Sequence, residues 1–110
     1  MDRPRLRVSV TTSDAGPVIH LAGELDTTTV DQLHAAVRDL LREPPDRITI
    51  DLAELAFCDS RGLGSLVVLT RTTRVQGTLL ALRSPTPSFD RLLDVTGVRQ
   101  ALVIARPESS

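Results

Sequence analysis

The chain has 110 residues, enough for one domain with its own apolar core and too few for two. Its hydrophobic content of 41% includes only two phenylalanines and neither tryptophan nor tyrosine, so the core must be aliphatic and the stacking platforms of single-strand nucleic-acid binders are missing. A formal charge of −1 lacks the basic excess of a duplex binder, a single cysteine leaves no intramolecular disulfide, and no apolar run approaches membrane-spanning length, so no membrane contact and a cytoplasmic location are expected.

Leu6, Val8 and Val10 alternate with Arg5, Arg7, Ser9 and Thr11, the period of two of a strand with one wet face, expected at a sheet edge. The turn residues Asp14, Ala15, Gly16 and Pro17 separate it from a second strand over 18–22, and so short a link predicts an antiparallel hairpin. Gly23-Glu24-Leu25-Asp26 is then expected to leave the sheet. Asp26, Thr27 and Thr28 supply caps for a helix whose Val30, Leu33, Val37, Leu40 and Leu41 recur at helical spacing, until Pro44 and Pro45 end it. Ile48, Ile50 and Leu52 mark a third strand. A second helix is predicted over 60–75, with Leu63, Leu66, Val67 and Thr70 sharing a face and Gly77 as its stop. A short strand over 79–82 follows, then a third helix over 85–95 with Phe89, Leu92 and Leu93 turned inward and Gly97 as terminator. A last strand is expected over 101–104, and 106–110 is a polar tail. Strands alternating with helices imply right-handed crossovers and an α/β fold: a mostly parallel mixed sheet, its first strand added antiparallel at an edge, with about three helices.

The residues with chemical potential cluster at Asp59-Ser60-Arg61-Gly62-Leu63-Gly64, where a hydroxyl stands at a helix start beside a carboxylate and two glycines. A helix N-terminus has unpaired N–H groups and a positive dipole end, so it accommodates a phosphate, and glycines let a docking partner approach. Ser60 is therefore a candidate switch residue; an ordinary Asp-Ser helix cap is the plainer alternative. Nucleophilic catalysis by Ser60 would need a base, yet His20 lies in a strand pattern, His34 in a helix, and no nucleophile-elbow motif accompanies either. Cys58 follows Leu55, Ala56 and Phe57 and reads as a small buried apolar side chain. One cysteine and two separated histidines give no metal-ligand spacing, so no metal is expected. The pair Gly62 and Gly64 lacks the third glycine of a dinucleotide loop, and no P-loop lysine is present; nucleotide binding at this tip stays open, but no cofactor is expected. Asp26, at the end of another sheet-to-helix connection, should open on the same rim. This geometry suits a binding surface better than a catalytic pocket.

Gly23-Glu24-Leu25-Asp26, followed about thirty residues later by Phe57-Cys58-Asp59-Ser60-Arg61-Gly62-Leu63-Gly64, resembles the STAS family, the anti-sigma factor antagonists. The likeness covers a core of about 6–104 in a single domain of 1–110, and the stretch 85–97, with Phe89, Leu92, Asp94 and Gly97, is similar to the family's late helix. The resemblance implies a regulator and not an enzyme. Its unphosphorylated form would bind an anti-sigma factor that is itself a serine kinase and so free a sigma factor for transcription. Phosphorylation, falling here on Ser60, would break that complex, and a separate serine phosphatase would restore it. The implied partner-binding set is Asp26, Thr27, Asp59, Ser60, Arg61, Gly62 and Gly64, with no catalytic residue, in a monomer or weak homo-oligomer. Arg61 stands where the family commonly has a small residue, and the chain stops soon after Ile104, where many relatives carry another helix over the sheet. A STAS scaffold in a stress-sensing assembly, or a phosphatase partner not controlled through Ser60, is the alternative role.

Overall fold

The computed structural model describes residues 4–105. Its first two strands, β1 (Leu6–Ser13) and β2 (Gly16–Leu25), form an antiparallel hairpin in which all eight residues of β1 are paired, from Leu6 opposite Gly23 to Ser13 opposite Gly16. β3 (Arg47–Cys58) and β4 (Leu79–Arg83) add in parallel, giving the order β1-β2-β3-β4 with β1 at the edge. The intervening helices are α1 (Val30–Leu40) and α2 (Ser60–Val75), and α3 (Pro87–Thr96) follows β4. Each parallel strand steps the same way across the sheet, so right-handed crossovers stack the helices on one face. That face supplies the core: Ile19, Leu21, Ile48, Ile50, Leu52, Leu80 and Leu82 are at most 1% exposed beneath Leu33, Val37, Leu63, Leu66, Phe89 and Leu93.

Four expectations change. β2 does not leave the sheet at Gly23 but continues to Leu25, because β3 runs on to Cys58 and pairs with it, Gly23 opposite Leu55 and Leu25 opposite Cys58. Two register shifts, after His20 and after Gly23, give β3 extra residues and erase the alternation that would have revealed its length. Gly23 has φ +115°, and a Cβ there would sit 2.2 Å from the Arg5 carbonyl oxygen, which accepts the Glu24 N–H. The expected last strand contracts: Arg99–Ala101 is a 3-10 turn, and Ile104 makes a single parallel bridge to Leu82, whose N–H donates to the Val103 carbonyl at 2.8 Å. α3 starts at Pro87, since Thr86 caps it by accepting the Phe89 N–H at 3.1 Å and a proline suits the first helical position. Leu92, Val67 and Cys58 are half-buried where full burial or a shared inner face was expected, and the tail over 106–110 lies outside the described residues.

The sheet face away from the helices carries a polar row set by register, with Ser9, His20, Asp51 and Arg83 side by side. His20 Nε2 lies 2.9 Å from the Thr11 hydroxyl and its Nδ1 3.3 Å from Asp51, which also accepts from Arg83 at 2.9 Å. Burial pushes the Asp51 carboxyl up, but the Arg83 hydrogen bond, the Ala53 N–H and the nearby charges outweigh it and hold the pKa below 3.8. A carboxylate lowered in the folded state contributes stability that is complete above its unfolded value and lost as pH falls through the folded one. Acid titration of the unfolding free energy below about pH 4 should therefore show a shallower loss in Asp51→Asn than in wild type. Equal slopes would remove Asp51 from the acid response.

Candidate functional site

The pairing of Leu25 with Cys58 sets the site, because the next residue of each strand, Asp26 or Asp59, then emerges at neighbouring strand ends on one rim. The Asp59 N–H donates to the Leu25 carbonyl at 3.2 Å, tying the two exits together. Asp59 is extended, with φ −94° and ψ −177°, and its carboxylate accepts the Gly62 N–H at 2.8 Å, which makes it the N-cap of α2. Ser60 is thus the first residue of the helix. It is exposed, and its hydroxyl enters none of the side-chain hydrogen bonds among the described residues. Arg61 is exposed beside it and makes no ion pair among the described residues.

The two glycines of the hexapeptide have opposite surroundings. Gly62 is buried, and a Cβ there would meet the Leu25 carbonyl oxygen at 2.4 Å and Cys58 Sγ at 3.0 Å. Gly64 is exposed, and a Cβ there would meet nothing within 4 Å among the described residues. Gly62 therefore seats α2 against the end of β2, while Gly64 leaves the outer surface of the helix bare.

Asp26 is only 6% exposed, so it is not an open docking carboxylate. One oxygen accepts from the Thr28 hydroxyl at 2.7 Å and the Thr28 N–H at 2.9 Å, and the other accepts from the Arg5 guanidinium. The Thr28 hydroxyl, against the effect of burial and with help from the Thr28 N–H and Arg5, holds its pKa below 3.8. Thr27 is exposed at the tip of this turn. Thr29 is buried and works in both directions, its hydroxyl donating to the Glu24 carbonyl at 2.8 Å and accepting the Asp26 N–H at 3.0 Å.

A family model described as "Mlab, STAS domain" matches residues 8–104. The chain belongs to the STAS domain family. Among curated relatives of this STAS domain, the anti-sigma F factor antagonist of Paenibacillus polymyxa is 30% identical over 88 residues, spanning 79% of this chain and 75% of that one. The anti-sigma-B factor antagonist of Staphylococcus epidermidis is 26% identical over 97 residues, spanning 88% and 90%. The STAS fold is shared with the solved anti-sigma factor antagonist SpoIIAA in its unphosphorylated form, with a TM-score of 0.72 at 22% identity and coverage of 91% of this chain and 89% of that one. The Bacillus SpoIIAA structure in the phosphorylated form gives 0.66 at 22% identity, covering 92% and 91%.

In this STAS domain neither histidine is bonded to Ser60. His20 is engaged with Thr11 on the far sheet face, and His34 Nε2 lies within hydrogen-bond distance of the Ser65 hydroxyl between α1 and α2. Burial first, and Asp59 second, push the Cys58 thiol up to about 12, so it stays protonated at neutral pH. No group of three potential metal ligands occurs among the described residues, and no described helix is long and apolar enough to cross a membrane. Sequence reasoning missed Arg5 and Thr29. Arg5 looks like one more wet-face charge, and its partner Asp26 lies 21 residues away, so no local pattern announces the pair. Thr29 shares its residue type with Thr27 and Thr28, and only the path of Glu24 through the sheet makes it the buried one.

Proposed function

We propose that this STAS domain is an anti-sigma factor antagonist: unphosphorylated, it binds an anti-sigma factor with serine kinase activity and frees a sigma factor, and phosphate on Ser60 ends that binding until a serine phosphatase removes it. The observation that carries the proposal is the exposed Ser60 hydroxyl, unengaged among the described residues, at the first position of a helix pinned to the sheet through the Leu25 carbonyl. Curated relatives named as antagonists of anti-sigma factors support the role. Support for the modification comes from SpoIIAA, a protein of the same fold described in both unphosphorylated and phosphorylated forms.

Phosphate adds roughly 1.5 to 2 negative charges and three acceptor oxygens at one point. Asp59 already occupies the Gly62 N–H, so part of the anion-binding capacity of the helix start is taken, and its carboxylate faces the new charge. Asp26 across the rim opposes it less, because Arg5 is bonded to it. The expected test is intact mass after incubation with ATP and each anti-sigma kinase of the source organism, alongside Ser60→Ala. A single added phosphate, absent from the mutant, supports the proposal; no modification and no binding by any of these kinases would sink it.

Gly64 offers an independent check. A mid-helix glycine costs roughly 0.5 to 1 kcal/mol relative to alanine. With open space around its Cα, Gly64→Ala should raise urea-unfolding stability by about that amount while weakening the anti-sigma complex. A variant that is more stable and binds equally well would show that no partner approaches there.

A further inference from the structure

α2 has an inner face of Leu63, Leu66, Leu69, Thr70 and Thr73, all buried against the sheet. Its opposite ridge, at steps of three and four residues, is Ser60, Gly64, Val68, Arg71 and Val75, with Arg61 alongside. Val68 is 50% exposed and Val75 87%. This ridge is poorly suited to a solvated helix, since glycine and valine are worse helix formers than alanine, Gly64 has open space around it and both valines stay exposed. A wet helix face usually mixes charges of both signs. The 16 residues of α2 instead hold three arginines, Arg61, Arg71 and Arg74, and no Asp or Glu. None of the three makes an ion pair among the described residues.

We infer that the whole outer ridge of α2, from Ser60 to Val75, is a docking track for an acidic helix of the anti-sigma factor that carries an aliphatic stripe. The inference rests on the antagonist role proposed above. Aliphatic side chains of the partner cover Val68 and Val75, carboxylates meet Arg61 and Arg71, and Gly64 is the point of closest approach. A second copy of this chain is the poorer occupant, because pairing two α2 ridges brings arginines against arginines. The track is about 24 Å long, and Arg71 and Val75 stand about 16 and 22 Å along the axis from Ser60. Both distances exceed the Debye length of about 8 Å at physiological salt. The far end therefore lies beyond the direct reach of the phosphate charge, and the two ends contribute separately to the affinity of the unphosphorylated protein.

The test measures binding of the intact chain to each purified anti-sigma kinase of the source organism, with Arg71→Glu, Val75→Glu and the control Arg42→Glu. Arg42→Glu makes the same charge change as Arg71→Glu, at a side chain 82% exposed, off the ridge and after the end of α1. Each ridge variant should weaken binding of the unphosphorylated protein about tenfold or more, with unchanged urea unfolding; the control should stay within about threefold. Wild-type binding that both ridge variants leave within about threefold overturns the track alone. Failure of wild type to bind any kinase overturns the antagonist role and the track with it. A wild-type dimer that Val75→Glu dissociates, with kinase binding intact, assigns the ridge to a second copy and also overturns the proposal.

Discussion

Gly62→Ala is expected to destabilise the domain by about 2 to 3 kcal/mol, although on helix propensity alone it should help by roughly 1 kcal/mol. The sign is decided by contact. The new methyl group would sit 2.4 Å from the Leu25 carbonyl oxygen, a backbone atom that cannot rotate away, and 3.0 Å from Cys58 Sγ. Relief requires α2 to lift from the end of β2, which stretches the Asp59 N–H bond to that same carbonyl and disturbs the cap on the Gly62 N–H. For a domain of this size the loss corresponds to a fall in Tm of roughly 10 to 20 °C. Thermal and urea unfolding of Gly62→Ala beside Gly64→Ala check it, with the two substitutions moving stability in opposite directions. Gly62→Ala at wild-type stability would mean that the helix start is not held against the sheet.

The largest functional effect is expected at Ser60. Phosphate, or its partial imitation in Ser60→Asp, places charge at a surface where Asp59 is already anionic and committed to the helix cap. An uncompensated charge in a closely packed interface costs on the order of 3 to 5 kcal/mol, roughly two to four decades of affinity, enough to empty a micromolar complex. Within the free domain the helix dipole favours the phosphate by about 0.3 to 1 kcal/mol, so folding is expected to stay intact while binding is lost. Calorimetric titration of the anti-sigma kinase against unphosphorylated, phosphorylated and Ser60→Asp protein reads the first part; amide chemical shifts confined to the rim around Ser60 read the second. Shifts spread through the core would replace a surface mechanism with refolding. Arg61 tempers the magnitude, since a guanidinium one residue from the phosphate pairs with it in part. Arg61→Ser should accordingly deepen the loss on phosphorylation and, being exposed and without an ion pair among the described residues, leave stability within about 0.5 kcal/mol of wild type.

The helices and the capped helix start at Ser60 were legible because their signals are local. Val30, Leu33 and Val37 recur at helical spacing, and Asp59 before Ser60 is a cap whose geometry depends on the next three residues alone. The second half of β3 was not legible. Its buried residues Leu52 and Leu55 and the half-buried Cys58 fall three apart, because the register shifts insert extra residues, and a strand with bulges loses the period of two by which strands are read. The division of labour between Gly62 and Gly64 was equally hidden. Both stand in the same hexapeptide, and only the arrival of the Leu25 carbonyl, from a strand 37 positions earlier than Gly62, makes one indispensable to the fold and the other open to solvent. The same holds for Arg5 and Asp26, whose pairing depends on how the hairpin brings β1 alongside the exit of β2.

The joint between β2 and α2 is made from a carbonyl, an N–H, a cap and a glycine, so none of its strength depends on the side chains of Ser60 and Arg61 or on the bare surface at Gly64. Those positions are free to drift at little cost to folding. A cell holding several copies of such a domain could give each a private surface on a common frame, and crosstalk between parallel regulatory circuits would then be limited by a few exposed residues and not by any change of architecture.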